Sequence, residues 1–177
     1  MRKLIAVIAV LVAVPAMAQE GMAMKAGGAV ASLEPVFQQV QGYLTAAAEQ
    51  VPEETYAFAP TPEVRTFGQL IGHVANANYF ICAKAMGEDS PSTTNIEKSV
   101  TTKAGLEKAL AESFAYCDKA FGQDDAAAMG EVQFFGGKRT RLFALAFVIA
   151  HDFEHYGNVV TYMRMNGMVP PSSQRSE

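Results

Sequence analysis

Four stretches of this chain repeat apolar residues at every third or fourth position, and each is bounded by residues that start or stop helices. That pattern restricts the chain to an α architecture before any motif is read. The first stretch runs from about Ser32, a candidate N-cap, to Gln50, with Val36, Phe37, Val40, Tyr43, Leu44 and Ala47 at helical spacing. "VPEETYAFAPTPEVR" breaks the pattern with three prolines. Thr66 then opens a second stretch as a capping box, "TFGQ", which stops at Gly87. A third, from about Thr102 to Phe121, carries Leu106, Leu110, Phe114, Cys117 and Phe121 on one side. The fourth runs from about Lys138 or Arg139 to Asn166, with Gly167 as its C-terminal cap and Pro170-Pro171 forbidding continuation.

The connections complete the outline. "GEDSPSTTNIEKSV" is long for a turn between neighbours and reads as a crossover, which would make the second and third helices parallel. "GQDDAAAMGEVQFFGGK" reads as an irregular link with a turn at Gly136-Gly137, and little in the chain resembles a strand. The expectation is an all-α four-helix bundle over 32–171, followed by a tail at 172–177. The second helix is apolar on two sides. Ile71, Ala75 and Cys82 lie opposite His73, as a homodimer face or as the inside of a crowded bundle.

The N-terminus speaks to compartment. "MRK" is positively charged, "LIAVIAVLVAV" is an apolar run of eleven residues, and Ala16, Met17 and Ala18 form a small-x-small cleavage site. Eleven apolar residues are too few to span a bilayer, and no Cys follows to accept a lipid. We read a signal peptide over 1–18 cleaved near Ala18, a flexible linker over 19–31, and a periplasmic or secreted protein with no membrane anchor. Met22 and Met24 in the linker are soft donors for Cu(I), or simply part of a tether. Without Arg2 and Lys3 the chain holds 12 Lys and Arg against 18 Asp and Glu, and it has no basic run, which excludes nucleic acid as a partner. Cys82 and Cys117 either pair, closing a loop worth roughly 3–4 kcal/mol, or remain two buried thiols.

The three histidines carry the chemistry. His151 and His155 lie about 40° apart on the fourth helix, on a stripe with Ala144, Phe147, Val148, Asn158, Tyr162 and Met165. His73 shares its face of the second helix with Thr66, Gln69, Leu70, Ala77 and Phe80. An i, i+4 pair places two ring nitrogens close enough to share an ion, and a third imidazole fixes it while leaving coordination positions open. The alternative is three packed core histidines. Asp152 and Glu154 flank the pair, each about 80° from its midline. Either can orient a histidine or act as a base, or form a solvated helix edge, the reading preferred for Asp152. Asn158, Tyr162 and Asn76 are candidates to line a pocket or to pack with their polar groups satisfied. "HDFEH" also fits the H-x-x-E-H pattern of some zinc peptidases. That chemistry needs a further acidic ligand, and the one acid after His155 is the terminal Glu177, so peptidase activity is set aside.

"TPEVRTFGQLIGHVANANYFICAKAMG" resembles the second helix of DinB/YfiT-like proteins, with a single histidine after a Thr-Pro-x-x-Arg lead-in. "FALAFVIAHDFEHYGNVVTYMRMNGMVPP" resembles their last helix, with its H-x-x-x-H pair, Tyr-x-Arg segment and Gly-x-x-Pro-Pro exit. The resemblance covers nearly all of the chain after the leader. It implies a four-helix bundle holding one divalent metal through His73, His151 and His155. Zinc is the first expectation, with nickel, iron or manganese as alternatives. It further implies thiol-dependent transfer or isomerisation for some members, a chemistry not expected of an exported protein, because low-molecular-weight thiols are scarce outside the cytoplasm. The function expected is a metal-dependent hydrolase or transferase acting on a small molecule. The alternatives are a non-catalytic module that binds metal or ligand, and a structural bundle.

Overall fold

The computed structural model describes residues 27–174. The expected signal peptide with its cleavage site, residues 19–26 of the expected linker with Met22 and Met24, and residues 175–177 of the expected tail lie outside them. The described chain is mostly helical. In order, α1 spans Ala29–Gln50, α2 Phe67–Met86, α3 Ile96–Ser99, α4 Lys103–Phe121 and α5 Asp125–Ala128. A hairpin of β1 (Glu131–Phe134) and β2 (Gly137–Thr140) leads into α6, Arg141–Met165. Short 3-10 turns cover Glu53–Ala57 and Pro171–Ser173.

The punctuation read from sequence is largely in place. The Thr66 side chain accepts from the Gln69 amide while the Gln69 side chain accepts from the Thr66 amide, closing the capping box. Gly87 and Gly167 end α2 and α6 at φ 76° and 73°, a region glycine enters without a Cβ clash. Thr102 and Thr140 cap α4 and α6, so the last helix opens at Arg141, slightly later than expected.

Ser32 is not the cap of α1. The helix opens three residues earlier, because the Asp125 carboxylate accepts from the amides of Ala29 (2.8 Å) and Val30 (3.0 Å). Residues 29–31, expected as the end of a linker, form its first turn. A Cβ at Gly28 would overlap that carboxylate and displace it from the helix end.

The expectation of almost no strand is also corrected. Glu131 pairs with Thr140 and Phe134 with Gly137 in an antiparallel ladder. The turn is Phe135-Gly136, one residue before the expected Gly136-Gly137, with positive φ at both residues (45° and 78°). Two positive φ values are what a two-residue hairpin loop of type I′ requires, and Asn or Gly usually supplies the first. A phenylalanine there holds a conformation that its Cβ disfavours.

The four long helices share one buried core that includes Phe37, Leu44, Ile71, Leu110, Phe114 and Val148. α2 packs mainly on α4 and α6, and α1 on α6 and α4. The α2–α4 pair is parallel, as a crossover requires. Leu106 lies over Gly68 and Gly72 near the start of both helices, and Cys82 is disulfide-bonded to Cys117 near their ends, with Cα atoms 5.2 Å apart. α6 runs antiparallel to α2, with Tyr162 reaching Arg65 and His151 facing His73. Ile71, Ala75 and Cys82 are fully buried inside this packing, so that face of α2 is interior rather than a dimer surface. Among the described residues, no helix is long and apolar enough to cross a membrane.

Candidate metal centre

Antiparallel packing of α2 on α6 brings the histidines together from helices whose other faces fill the core. His151 Nε2 lies 3.3 Å from His73 Nε2 and 3.1 Å from His155 Nε2. The three ligand atoms all fall within 4.8 Å of one another, and among the described residues no other His, Cys, Asp or Glu joins such a group. Two nitrogens each 2.0–2.1 Å from a tetrahedral zinc lie about 3.3 Å apart. Three imidazoles turned nitrogen to nitrogen at that spacing suit a shared cation, and without one a ring protonated on Nε2 donates to its neighbour's lone pair.

The protonation state favours the same use. Burial, then the neighbouring histidines and Arg65, push His155 down to about 3 from its ordinary 6.5. His73 is also lowered, by burial first and then by Arg65 and His151, against the opposing pull of Glu97. Both rings therefore keep a free lone pair at neutral pH. His73 Nδ1 lies 3.1 Å from Glu97 Oε2, which fixes the tautomer by accepting its N–H and presents Nε2 to the centre. The other oxygen of Glu97 accepts from Arg65 Nε at 3.0 Å. The Nδ1 atoms of His151 and His155 are buried without a hydrogen-bond partner.

Glu97 was missed in the sequence because it sits in what reads as a polar crossover. Two features of α2 place it. Asn76 donates to the Thr94 carbonyl at 2.8 Å and accepts from the Glu97 amide at 3.1 Å, so its role is to clamp the crossover. Gly72 lets α3 lie against α2, for a Cβ there would stand 2.7 Å from Glu97 Cα. Gly72→Ala is expected to destabilise the protein by about 1–3 kcal/mol through overpacking. It should also weaken zinc binding by roughly 10–100-fold through the displaced Glu97. Urea unfolding and a competitive zinc titration on the same variant read the two effects.

The flanking acids divide. Asp152, expected at a solvated edge, is fully buried. Its 80° offset turns it toward α2, where the Asn78 amide, oriented to suit its neighbours, donates to both carboxylate oxygens at 3.1 and 3.3 Å. His151 Nδ1 is 3.5 Å from Asp152 Oδ1, close enough for attraction but outside hydrogen-bond geometry. Burial pushes the Asp152 carboxyl up to about 6, against the pull of His151. Glu154 is exposed instead, on the wall of a cleft of about 560 Å³ shared with Arg65, Glu97, His155, Asn158 and Tyr162. Tyr162 is buried and donates to the Arg65 carbonyl at 2.9 Å. Asn158 and Met165 are exposed, so beyond His155 the stripe alternates between this cleft or solvent and the interior, where Tyr162 remains.

These two shifts act oppositely on the metal-free protein. His155 binds a proton near 6.5 when unfolded but near 3 when folded, so its contribution to stability is lost as pH falls through that window. Asp152 holds its proton up to about 6 when folded but only to about 3.8 when unfolded, so it favours folding at the acid end and loses that contribution as pH rises through 6. In Asp152→Asn only the histidine contribution remains. The urea midpoint of the metal-stripped variant should fall more steeply between pH 6 and 4 than that of the wild type.

A family model described as the DinB superfamily matches residues 37–159. Among solved structures, a DinB-like protein from Bacillus cereus superposes with a TM-score of 0.70 at 17% identity, covering 80% of this chain and 95% of its own. A DinB-like protein from Bacillus subtilis gives 0.62 at 18% identity, over 82% and 99% of the two chains. A conserved protein from Enterococcus faecalis gives 0.64 at 16%, over 77% and 95%. At these identities the likeness speaks for the fold alone. No curated protein matches the chain.

Proposed function

Given that the chain belongs to the DinB superfamily, we propose that it is an exported four-helix-bundle protein that holds one divalent metal through His73, His151 and His155 and acts as a metal-dependent hydrolase or transferase on a small molecule. The observation that carries this reading is the convergence of three Nε2 atoms beside an open cleft of about 560 Å³. Zinc is the first candidate by ligand type, with nickel, iron or manganese as alternatives. Such an ion supplies Lewis acidity, which makes water or a thiol a usable nucleophile near neutral pH.

The chain's own groups do the rest. Glu97 orients His73 and balances Arg65, so the guanidinium beside the centre does not stand as an uncompensated charge. Glu154 lines the cleft as an exposed carboxylate able to accept a proton from the attacking group. Asn158 and the Tyr162 ring line the same cleft and would flank a substrate bound there. Export is supported by the leader at 1–18 and by the Cys82–Cys117 bond, which suits an oxidising compartment.

The test loads the purified protein with zinc or nickel and follows two reactions, hydrolysis of 4-nitrophenyl acetate and conjugation of 2-mercaptoethanol to 1-chloro-2,4-dinitrobenzene. Turnover that appears on loading and is missing from His155→Ala is the expected result. Bound metal with rates no higher than those of the stripped protein would make the chain a binding module instead.

A further inference from the structure

The polar cleft touches the centre from the side of His155. On the other side, His73 and His151 border a second cavity of about 320 Å³ whose remaining walls are Asn76, Ala77, Phe80, Ile81, Phe135 and Phe147. We propose that this cavity is an aromatic subsite for the hydrocarbon part of the substrate, so that the substrate is a small amphiphile with its reacting polar group at the histidines and an aryl or short alkyl group against Phe80, Phe135 and Phe147. The proposal rests on the metal reading of the histidines and adds the class of molecule that the centre serves.

Three observations carry it. The cavity is continuous with the ligand set, because Phe147 lies one turn before His151 with its ring 27° from parallel and 6.5 Å from the imidazole. Its size suits one substituted ring, being about twice the 150 Å³ cavity that accepts benzene. Its outer wall is built against local preference. Phe135 stands at the hairpin tip with φ 45° and 67% exposure, where Asn or Gly would suit the backbone and the solvent better. Its ring sits 5.7 Å from Phe80 and 5.4 Å from Phe147, forming part of the open cavity's wall. Phe80 itself is 39% exposed at the rim. Exposed aromatic rings clustered around a hollow beside chemically active groups mark a place where an apolar group is to be received.

The experiment separates the subsite from the metal. Metal-free protein is titrated with the neutral fluorescent probe N-phenyl-1-naphthylamine, and zinc-loaded protein with acetohydroxamate and benzohydroxamate, which share a chelating head and differ in the hydrocarbon. Wild type is compared with Phe135→Asn, which fits the turn and keeps the hairpin, and with Phe80→Gln. The expected result is benzohydroxamate binding about tenfold more tightly than acetohydroxamate. That preference and the probe signal should both fall in each variant, while acetohydroxamate affinity is unchanged. Equal affinity for the two hydroxamates, or a preference that survives both variants, overturns the subsite. Probe binding that depends on Phe135 and Phe80, with no hydroxamate bound to the zinc-loaded protein, keeps the cavity as an aryl site and overturns the amphiphile, because the metal then offers no open position to a polar head. A wild type that dimerises in sedimentation where Phe135→Asn does not would reassign the aromatic rim to a contact between copies and overturn the proposal.

Discussion

Replacing His155 with alanine empties the centre. Protein purified from its native compartment is expected to carry about one metal per chain by plasma mass spectrometry, and the variant essentially none, because two imidazoles remain of a set that already relies on open positions. The effect extends to stability. With free zinc at about a thousand times Kd, binding to the folded state alone stabilises it by about 4 kcal/mol. For a domain of this size that corresponds to a rise in Tm on the order of 10 °C. Stripped wild type should recover that rise when zinc is added back, and His155→Ala should not. A folded wild type that neither carries metal nor responds to zinc or nickel would show that the histidines only pack.

The second large effect belongs to Cys82 and Cys117. Their bond closes a 35-residue loop between two helices that run the same way. The chain-entropy relation assigns such a loop about 4 kcal/mol, again on the order of 10 °C in Tm for a domain of this size. A double Cys→Ala variant avoids a reactive thiol and should still fold, since both sites remain inside an apolar core. Its urea midpoint should match that of reduced wild type. If it matches the oxidised protein instead, the loop entropy is already restricted in the unfolded chain. Either way the centre should survive, because His73 lies on the opposite side of α2 from Cys82.

What the sequence makes legible is whatever is encoded within a turn or two of helix. Thr66 with Gln69, Gly87, Thr102 and Gly167 act through neighbours three to five residues away, and their positions can be read directly. The His151–His155 pair is legible for the same reason, and its meeting with His73 follows once α2 and α6 are adjacent. The features not read depend on residues far apart in the chain. The α1 start is set by Asp125, 96 residues away from the amide it caps. Glu97 reaches His73 only because Gly72 admits α3 and Asn76 holds it. Asp152 illustrates a different limit. Helical geometry gives its direction, but only the presence of Asn78 on the facing helix decides whether that direction is solvent or interior. The hairpin escaped because each strand is four residues long, too short for alternation to stand out, and because phenylalanine is an unexpected residue for its turn.

The disulfide and the proposed metal centre are nested in the chain. The disulfide spans 82 to 117, whereas the histidine set spans 73 to 155 and encloses it. The inner link needs only α2 and α4, while the outer one waits for α6, the last helix to emerge during synthesis. A chain that appears N-terminus first can thus have α2 fastened to α4 before the metal ligands are complete. An ion held as proposed would then join α6 to a pair of helices whose relative placement is already fixed, so oxidation is expected to precede metal uptake.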